Sequence, residues 1–164
     1  MDLTEALMDL AEEVVLAARA LYGDRLVSIV VFGSVACGTP RVDSDLDLLV
    51  VADPLPRGRT RRVAEFDPVE AALATSLAAL ARVGVHTTLS PIFKTPEEVR
   101  AGSPLFLDMT LKAKILVDRD EFFAAYLDGL RGRMAALGSR LVETDGGYYW
   151  LLKPDWKPGE VIEL

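Results

Sequence analysis

Cysteine and histidine each occur only once in this sequence of 164 residues. The lone cysteine, Cys37, cannot form an intramolecular disulfide, and chains without disulfides are typical of reducing compartments. No apolar run approaches the length that spans a bilayer, and the first five residues are acidic rather than signal-like. We therefore expect a cytoplasmic protein that has no membrane partner.

Basic residues are also few. Lys and Arg number 18 against 25 Asp and Glu, which gives a net charge of −7. Strong nonspecific binding to nucleic acid requires a basic surface that neutralises phosphates, so this charge argues against it. Hydrophobic residues make up 51% of the chain, which is enough for a substantial core, and the length is typical of one domain.

The only dense basic cluster lies in residues 57–62, where four of the six residues are arginine. It follows shortly after a predicted strand. Two interpretations are open: the cluster is a solvated loop and helix turn, or it contacts a phosphate-bearing substrate or a partner.

A strand, a turn and a second strand are predicted between residues 26 and 51. The first strand is apolar and ends before Gly33 and Ser34, and the second carries Asp45 and Asp47 ahead of an apolar run. Residues i and i+2 on a strand point to the same face, so the two carboxylates lie side by side, about 7 Å apart along the backbone.

These residue types suit a nucleoside triphosphate bound with a metal ion. Two neighbouring carboxylates favour a cation between them, and Mg²⁺ commonly takes one or two carboxylates together with substrate phosphates. Gly33 lets the backbone approach a phosphate closely, and a helix that starts at Ser34 would direct its free N–H groups and hydroxyl at an anion. The alternative is a surface loop with two solvated aspartates, but the apolar residues around Asp45 and Asp47 argue for burial.

The pattern of Gly33 and Ser34, ten intervening residues, and then Asp45 and Asp47 resembles the signature of the polymerase-beta-type nucleotidyltransferase superfamily. Ser44, which precedes the first aspartate, fits the same pattern. The resemblance implies that both aspartates are catalytic Mg²⁺ ligands and that Gly33, Ser34 and Ser44 bind the nucleotide.

The resemblance extends over about residues 26–118, and the short chain is similar to the minimal branch of the superfamily. It implies transfer of a nucleoside monophosphate, AMP from ATP, to a hydroxyl acceptor. Members of this branch often resemble the antitoxin of a toxin–antitoxin pair, which modifies a helical HEPN-type partner. A small-molecule modifier is an alternative, although such enzymes usually carry an extra helical domain, and a homo-oligomer is also open.

One expected feature is missing. The superfamily usually places a third carboxylate on the strand after the intervening helix, but the strand predicted over residues 85–93 contains no Asp or Glu. His86, Thr88 and Ser90 share one face of that strand by their spacing. The absence supports an alternative function, a non-catalytic module that binds a nucleotide or a partner.

The general base is therefore open among several residues. His86 has a suitable ordinary pKa, about 6.5, although a lone histidine is more often structural. Asp43 and Glu65 are carboxylates that could replace the missing one. Cys37 is expected to be a small packed residue, since no histidine lies near it in sequence.

The remaining elements predict an α/β (α+β) fold, with a small mixed sheet of three to five strands flanked by helices. A helix is predicted over residues 2–21 with Asp2 as its cap, and another begins at Asp67 with Pro68 in its first turn. We expect residues 1–142 to form the nucleotidyltransferase-like domain. Residues 143–164, which contain four of the twelve aromatic residues, are expected to form an extended arm that docks on this domain or on another chain.

Overall fold

A computed structural model describes all residues, 1–164, as seven α-helices and six β-strands. The helices are α1 (Leu3–Tyr22), α2 (Gly33–Cys37), α3 (Arg59–Ala72), α4 (Ala74–Arg82), α5 (Pro96–Arg100), α6 (Leu105–Met109) and α7 (Phe122–Leu137). The strands are β1 (Leu26–Val31), β2 (Leu46–Ala52), β3 (Leu89–Lys94), β4 (Lys114–Asp118), β5 (Arg140–Thr144) and β6 (Gly147–Leu151). No helix is both long and apolar enough to cross a membrane.

Four strands form a mixed sheet in the order β3-β2-β1-β4. Strand β1 is antiparallel to both of its neighbours, whereas β2 and β3 are parallel. The predicted α/β fold, with β1 and β2 adjacent, is confirmed. Because β1 ends and β2 begins at the same edge of the sheet, Gly33 and Asp47 are brought together.

The side chains of β2 alternate between two hydrophobic cores, one on each face of the sheet. The first core lies against α1, α3 and α4, and it receives Leu46, Leu48, Val50 and Ala52. The second lies against α5, α6 and α7, and it receives Leu49 and Val51. Burial on both faces explains the uninterrupted apolar run after Asp47.

Helix α1 forms as its sequence predicts. The Asp2 carboxylate accepts hydrogen bonds from the backbone N–H groups of Thr4 and Glu5, at 2.8 and 3.2 Å, and satisfies two donors that the first turn leaves free. Its buried stripe includes Leu7, Leu10 and Val14, all within the first core.

The prediction of a helix start at Asp67 was wrong. Helix α3 begins at Arg59 and contains Pro68 in its interior. The burial of Phe66 and Val69 against the sheet holds these turns helical although Pro68 cannot donate a backbone hydrogen bond. Strand β3 also begins later than predicted, at Leu89 rather than residue 85, and leaves His86 in the connection before it.

The C-terminal segment is a hairpin rather than a single extended arm. Strands β5 and β6 pair antiparallel, and the boundary expected between residues 142 and 143 lies inside β5. Trp150 and Leu152 pack against the second core. Within this chain, the aromatic segment therefore docks on the domain that precedes it.

Candidate active site

Asp45 and Asp47 lie at the edge of the sheet where β2 begins. Asp45 immediately precedes the strand and is exposed, whereas Asp47 is the second strand residue and is half-buried. By strand alternation both share a face with Leu49 and Val51, which pack against the second core. The structure thus places both carboxylates on the side of the sheet that α6 and α7 cover.

Gly33 lies directly against the carboxylate of Asp47. Its φ of +70° is in the left-handed region, and a Cβ built on it would be 2.2 Å from Oδ2 of Asp47. The backbone N–H of Phe32 also donates to the carbonyl oxygen of Asp47, at 3.1 Å. Only glycine therefore allows this turn and this aspartate to occupy their positions together.

The environments of the two carboxylates differ. Burial raises the pKa of Asp47 above its ordinary value, the neighbouring Ser90 hydroxyl lowers it in part, and the charge of Asp45 raises it further. Thr88 Oγ1 donates a hydrogen bond to Oδ1 of Asp45, at 2.6 Å, and orients that carboxylate. A cation between Asp45 and Asp47 would relieve both the burial of charge and the repulsion.

The two serines expected to bind the nucleotide occupy different settings. Ser34 is the second residue of α2 and lines the cavity next to Gly33. Ser44 Oγ accepts a hydrogen bond from the backbone N–H of Arg41, at 2.9 Å, which closes the turn before Asp45. The Ser44 hydroxyl proton remains available for donation, so a nucleotide contact stays a prediction for both residues.

Three residues were candidates for the general base. Glu65 lies at the other end of the sheet, where it pairs with Arg25 at 2.7 Å, so the structure contradicts that assignment. Asp43 is exposed and pairs with Arg41 at 3.3 Å, two residues before Asp45. His86 is exposed, and its backbone N–H donates to the carbonyl oxygen of Val42 at 2.7 Å, so its base role stays a prediction.

The arginine cluster does not lie beside the carboxylates. It follows the far end of β2, about 17 Å along the strand from Asp47 at about 3.3 Å per residue. Arg62 forms a bidentate pair with Glu98, at 2.7 and 2.9 Å, and also donates to the carbonyl oxygens of Pro56 and Phe93. These contacts show a structural role for Arg62, and the phosphate-contact interpretation of the cluster at this site is wrong.

A cavity of about 620 Å³ opens beside Gly33 and Ser34. Its walls include residues from α6, from the segment after α6 and from the C-terminal hairpin, among them Asp108, Lys112 and Tyr148. None of these three residues was predicted to lie at the site, because nothing in their spacing links the hairpin to the turn at Gly33 and Ser34. Cys37 also lines this cavity and is exposed, so the expectation of a packed cysteine was wrong.

The two aspartates suit a Mg²⁺ ion that also binds substrate phosphates. They are hard oxygen donors on one face, and burial, which raises the pKa of Asp47, disfavours its charge unless a cation lies nearby. No group of three or more His, Cys, Asp or Glu residues is arranged to hold a metal. Asp45 and Asp47 would therefore be the protein ligands, and phosphate oxygens and water would complete the shell.

Comparison with known proteins shows the family to which this chain belongs. The nucleotidyltransferase domain family matches residues 11–117. A protein of Methanocaldococcus jannaschii, provisionally named as a protein adenylyltransferase, is 33% identical over 127 residues, which cover 76% of this chain and 81% of the relative. A crystal structure of a toxin–antitoxin with AMP-PNP is 19% identical with a TM-score of 0.46, over 77% of this chain and 92% of that one. A crystal structure of the toxin–antitoxin MntA-HepT is 16% identical with a TM-score of 0.42, over 80% and 92%. The family match and the relative's identity show that this chain belongs to the nucleotidyltransferase domain family.

Proposed function

We propose that this protein transfers AMP from ATP to a hydroxyl group of a protein acceptor, with Mg²⁺ held by Asp45 and Asp47. The observation that carries the proposal is the contact between the Gly33 backbone and the Asp47 carboxylate. A turn that approaches phosphates and a carboxylate that binds their metal are needed next to each other in such a reaction.

The reaction forms a bond between the acceptor oxygen and the α-phosphorus of ATP and breaks the bond between that phosphorus and the bridging oxygen to the β-phosphate. Pyrophosphate leaves with that bonding electron pair. Bound Mg²⁺ would neutralise charge on the phosphate oxygens. Asp45 and Asp47 would hold the ion, Thr88 orients Asp45, and the missing side chain of Gly33 leaves room for the Asp47 carboxylate.

The proton of the acceptor hydroxyl needs a base, and we propose His86 for this role. Imidazole is a side chain suited to proton transfer near neutral pH, and His86 precedes β3 at the same edge of the sheet as Asp45, because β2 and β3 are parallel. General-base assistance contributes roughly 10²–10⁴-fold to a rate. Loss of His86 should therefore slow the transfer and leave nucleotide binding intact.

A protein acceptor is supported by the name of the Methanocaldococcus relative, which gives protein adenylyltransferase. The resemblance to the minimal branch adds a specific proposal, in which the acceptor is a helical HEPN-type toxin and this chain is its antitoxin. Co-expression of this protein with a HEPN-type candidate tests that proposal. An AMP mass increment on the candidate supports it, and an unmodified candidate that remains toxic contradicts it.

A second function is favoured by one observation, the absence of a third metal-ligating carboxylate. Ser90 pairs with Asp47 in the sheet register, and Thr88 bonds to Asp45, so hydroxyls line the carboxylates on this side. A protein with this site would bind Mg²⁺ and ATP as a regulatory module without turnover.

Labelled ATP distinguishes the two functions. Transfer of labelled AMP to an acceptor is compared among wild type, His86→Ala and the double variant Asp45→Asn, Asp47→Asn. The enzyme proposal requires product from wild type and none from the double variant, and the proposed role of His86 requires less product from His86→Ala than from wild type. If wild type binds the nucleotide but gives no more labelled product than the double variant, the protein is a binding module instead. Equal product from His86→Ala and wild type assigns the base elsewhere.

A further inference from the structure

The cavity beside Gly33 and Ser34 is placed to receive the nucleoside part of a nucleotide whose phosphates lie at Gly33 and whose metal ion lies at Asp47. It lies on the face of the sheet that α6 covers, and Asp45 and Asp47 point to that same face. Its volume, about 620 Å³, is in the range of small-molecule sites, roughly 300–1,000 Å³.

The chemistry of the walls favours a nucleoside over further phosphates. Most of the lining side chains are apolar or aromatic: Phe32, Leu105, Met109, Leu111, Leu141 and Tyr148. The charged residues in the lining are Asp108, Glu143 and Lys112, which together carry a net negative charge. Such walls repel a polyphosphate, whereas an aromatic base and a ribose gain from apolar contact and from carboxylate acceptors.

The C-terminal hairpin forms one wall, and Asp108 holds it in place. Oδ2 of Asp108 accepts a hydrogen bond from the Tyr148 hydroxyl at 3.0 Å, and Oδ1 accepts one from Nε1 of Trp150 at 2.8 Å. Ser139 Oγ also donates to the carbonyl oxygen of Leu152 at the base of the hairpin. The hairpin lies outside residues 11–117, which the family match covers.

We propose that this cavity binds the base and ribose of the substrate nucleotide, with Tyr148 of the hairpin as its aromatic wall. The proposal rests on the proposed function, because it assumes a nucleotide whose phosphates lie at Gly33 and Asp47. It adds that the hairpin contributes to nucleotide affinity, and that this chain distinguishes nucleotides by their nucleoside.

Two neighbouring tyrosines provide a matched test. Tyr148 and Tyr149 are 55% and 52% exposed, and they point to opposite faces of β6, but only Tyr148 lines the cavity. Calorimetry would measure the dissociation constants of ATP and of inorganic tripolyphosphate, both with Mg²⁺, for wild type, Tyr148→Ala and Tyr149→Ala. Tripolyphosphate shares the phosphates of ATP and lacks the nucleoside.

We expect wild type to bind ATP more tightly than tripolyphosphate. Tyr148→Ala should weaken ATP binding by about 10-fold or more, in line with the loss of one base–aromatic contact, and leave tripolyphosphate binding unchanged. Tyr149→Ala should match wild type for both ligands. Tyr148→Phe, which keeps the ring and loses the bond to Asp108, should retain most of the ATP affinity.

Other results overturn the proposal. Equal losses for ATP and tripolyphosphate in Tyr148→Ala would make the cavity a phosphate site, and equal losses in the two alanine variants would reflect a general loss of the hairpin. If Tyr148→Ala has a lower melting temperature than Tyr149→Ala, Tyr148→Leu replaces it, because leucine keeps apolar bulk without the ring. Failure of wild type to bind either ligand refutes the proposed function itself, whereas equal affinity of wild type for both ligands refutes only this inference.

Discussion

Replacing Gly33 by alanine tests the local geometry on which the candidate site depends. The new Cβ would be 2.2 Å from Oδ2 of Asp47, where an ordinary contact is 3.4 Å or more. The carboxylate therefore has to move by about 1 Å, or the turn has to open by the same amount. Either movement takes Asp47 away from the metal position, or takes the turn away from the phosphates.

The size of the effect follows from two separate contributions. A left-handed φ costs an alanine about 1–2 kcal/mol, which lowers the melting temperature by roughly 2–8 °C in a chain of this size. A misplacement of about 1 Å in a catalytic group can lower a rate about 10²-fold. Gly33→Ala should therefore lose Mg²⁺-dependent nucleotide binding and transfer far more than its stability loss explains.

Gly38→Ala is the matched control. Gly38 has a φ of +73°, close to the +70° of Gly33, but nothing lies within 4 Å of the Cβ position. The two variants should share the loss in melting temperature, and only Gly33→Ala should lose ATP binding, measured by calorimetry with Mg²⁺. If both variants bind ATP as wild type does, the contact between Gly33 and Asp47 has no functional role and the reasoning is refuted.

Three further substitutions have definite expected outcomes. Burial raises the pKa of Asp47, so the free energy of unfolding without metal should fall as pH rises from the ordinary pKa of 3.8 through the raised pKa. Asp47→Asn should remove this pH dependence in thermal melts recorded with a chelator. An unchanged pH dependence would contradict burial of Asp47 as its cause. Thr88→Val removes the hydrogen bond to Asp45 and should weaken Mg²⁺-dependent ATP binding by about 3- to 10-fold with little change in melting, so unaltered affinity counts against an orienting role. Arg62→Met breaks the pair with Glu98 and should lower the free energy of unfolding by about 1–3 kcal/mol; a selective loss of ATP binding without destabilisation would show that the far end of the sheet reaches the site.

Local sequence patterns predicted those parts of the fold in which neighbouring residues provide the interactions. The α1 cap at Asp2 formed as expected, because it needs only residues two or three apart. Helix α3 was predicted to start at Asp67 because Pro68 usually occupies a first helical turn. It starts at Arg59 instead, because burial of Phe66 and Val69 against the sheet outweighs this local preference of proline. Strand β3 was predicted too long for a similar reason, since its pairing with β2 begins only at Leu89.

The sequence by itself determined the family, the mixed α/β fold and the shared face of Asp45 and Asp47, because strand alternation and a short motif act over a few residues. Only the tertiary structure decided what surrounds that motif. The pairing of β1 with β2 places Gly33 against Asp47. Glu65 pairs with Arg25 at the opposite end of the sheet, and the arginine cluster also lies at that end. The wall formed by the hairpin depends on hydrogen bonds from Tyr148 and Trp150 to a residue about forty positions earlier, and a contact at that separation has no periodic signature in the chain.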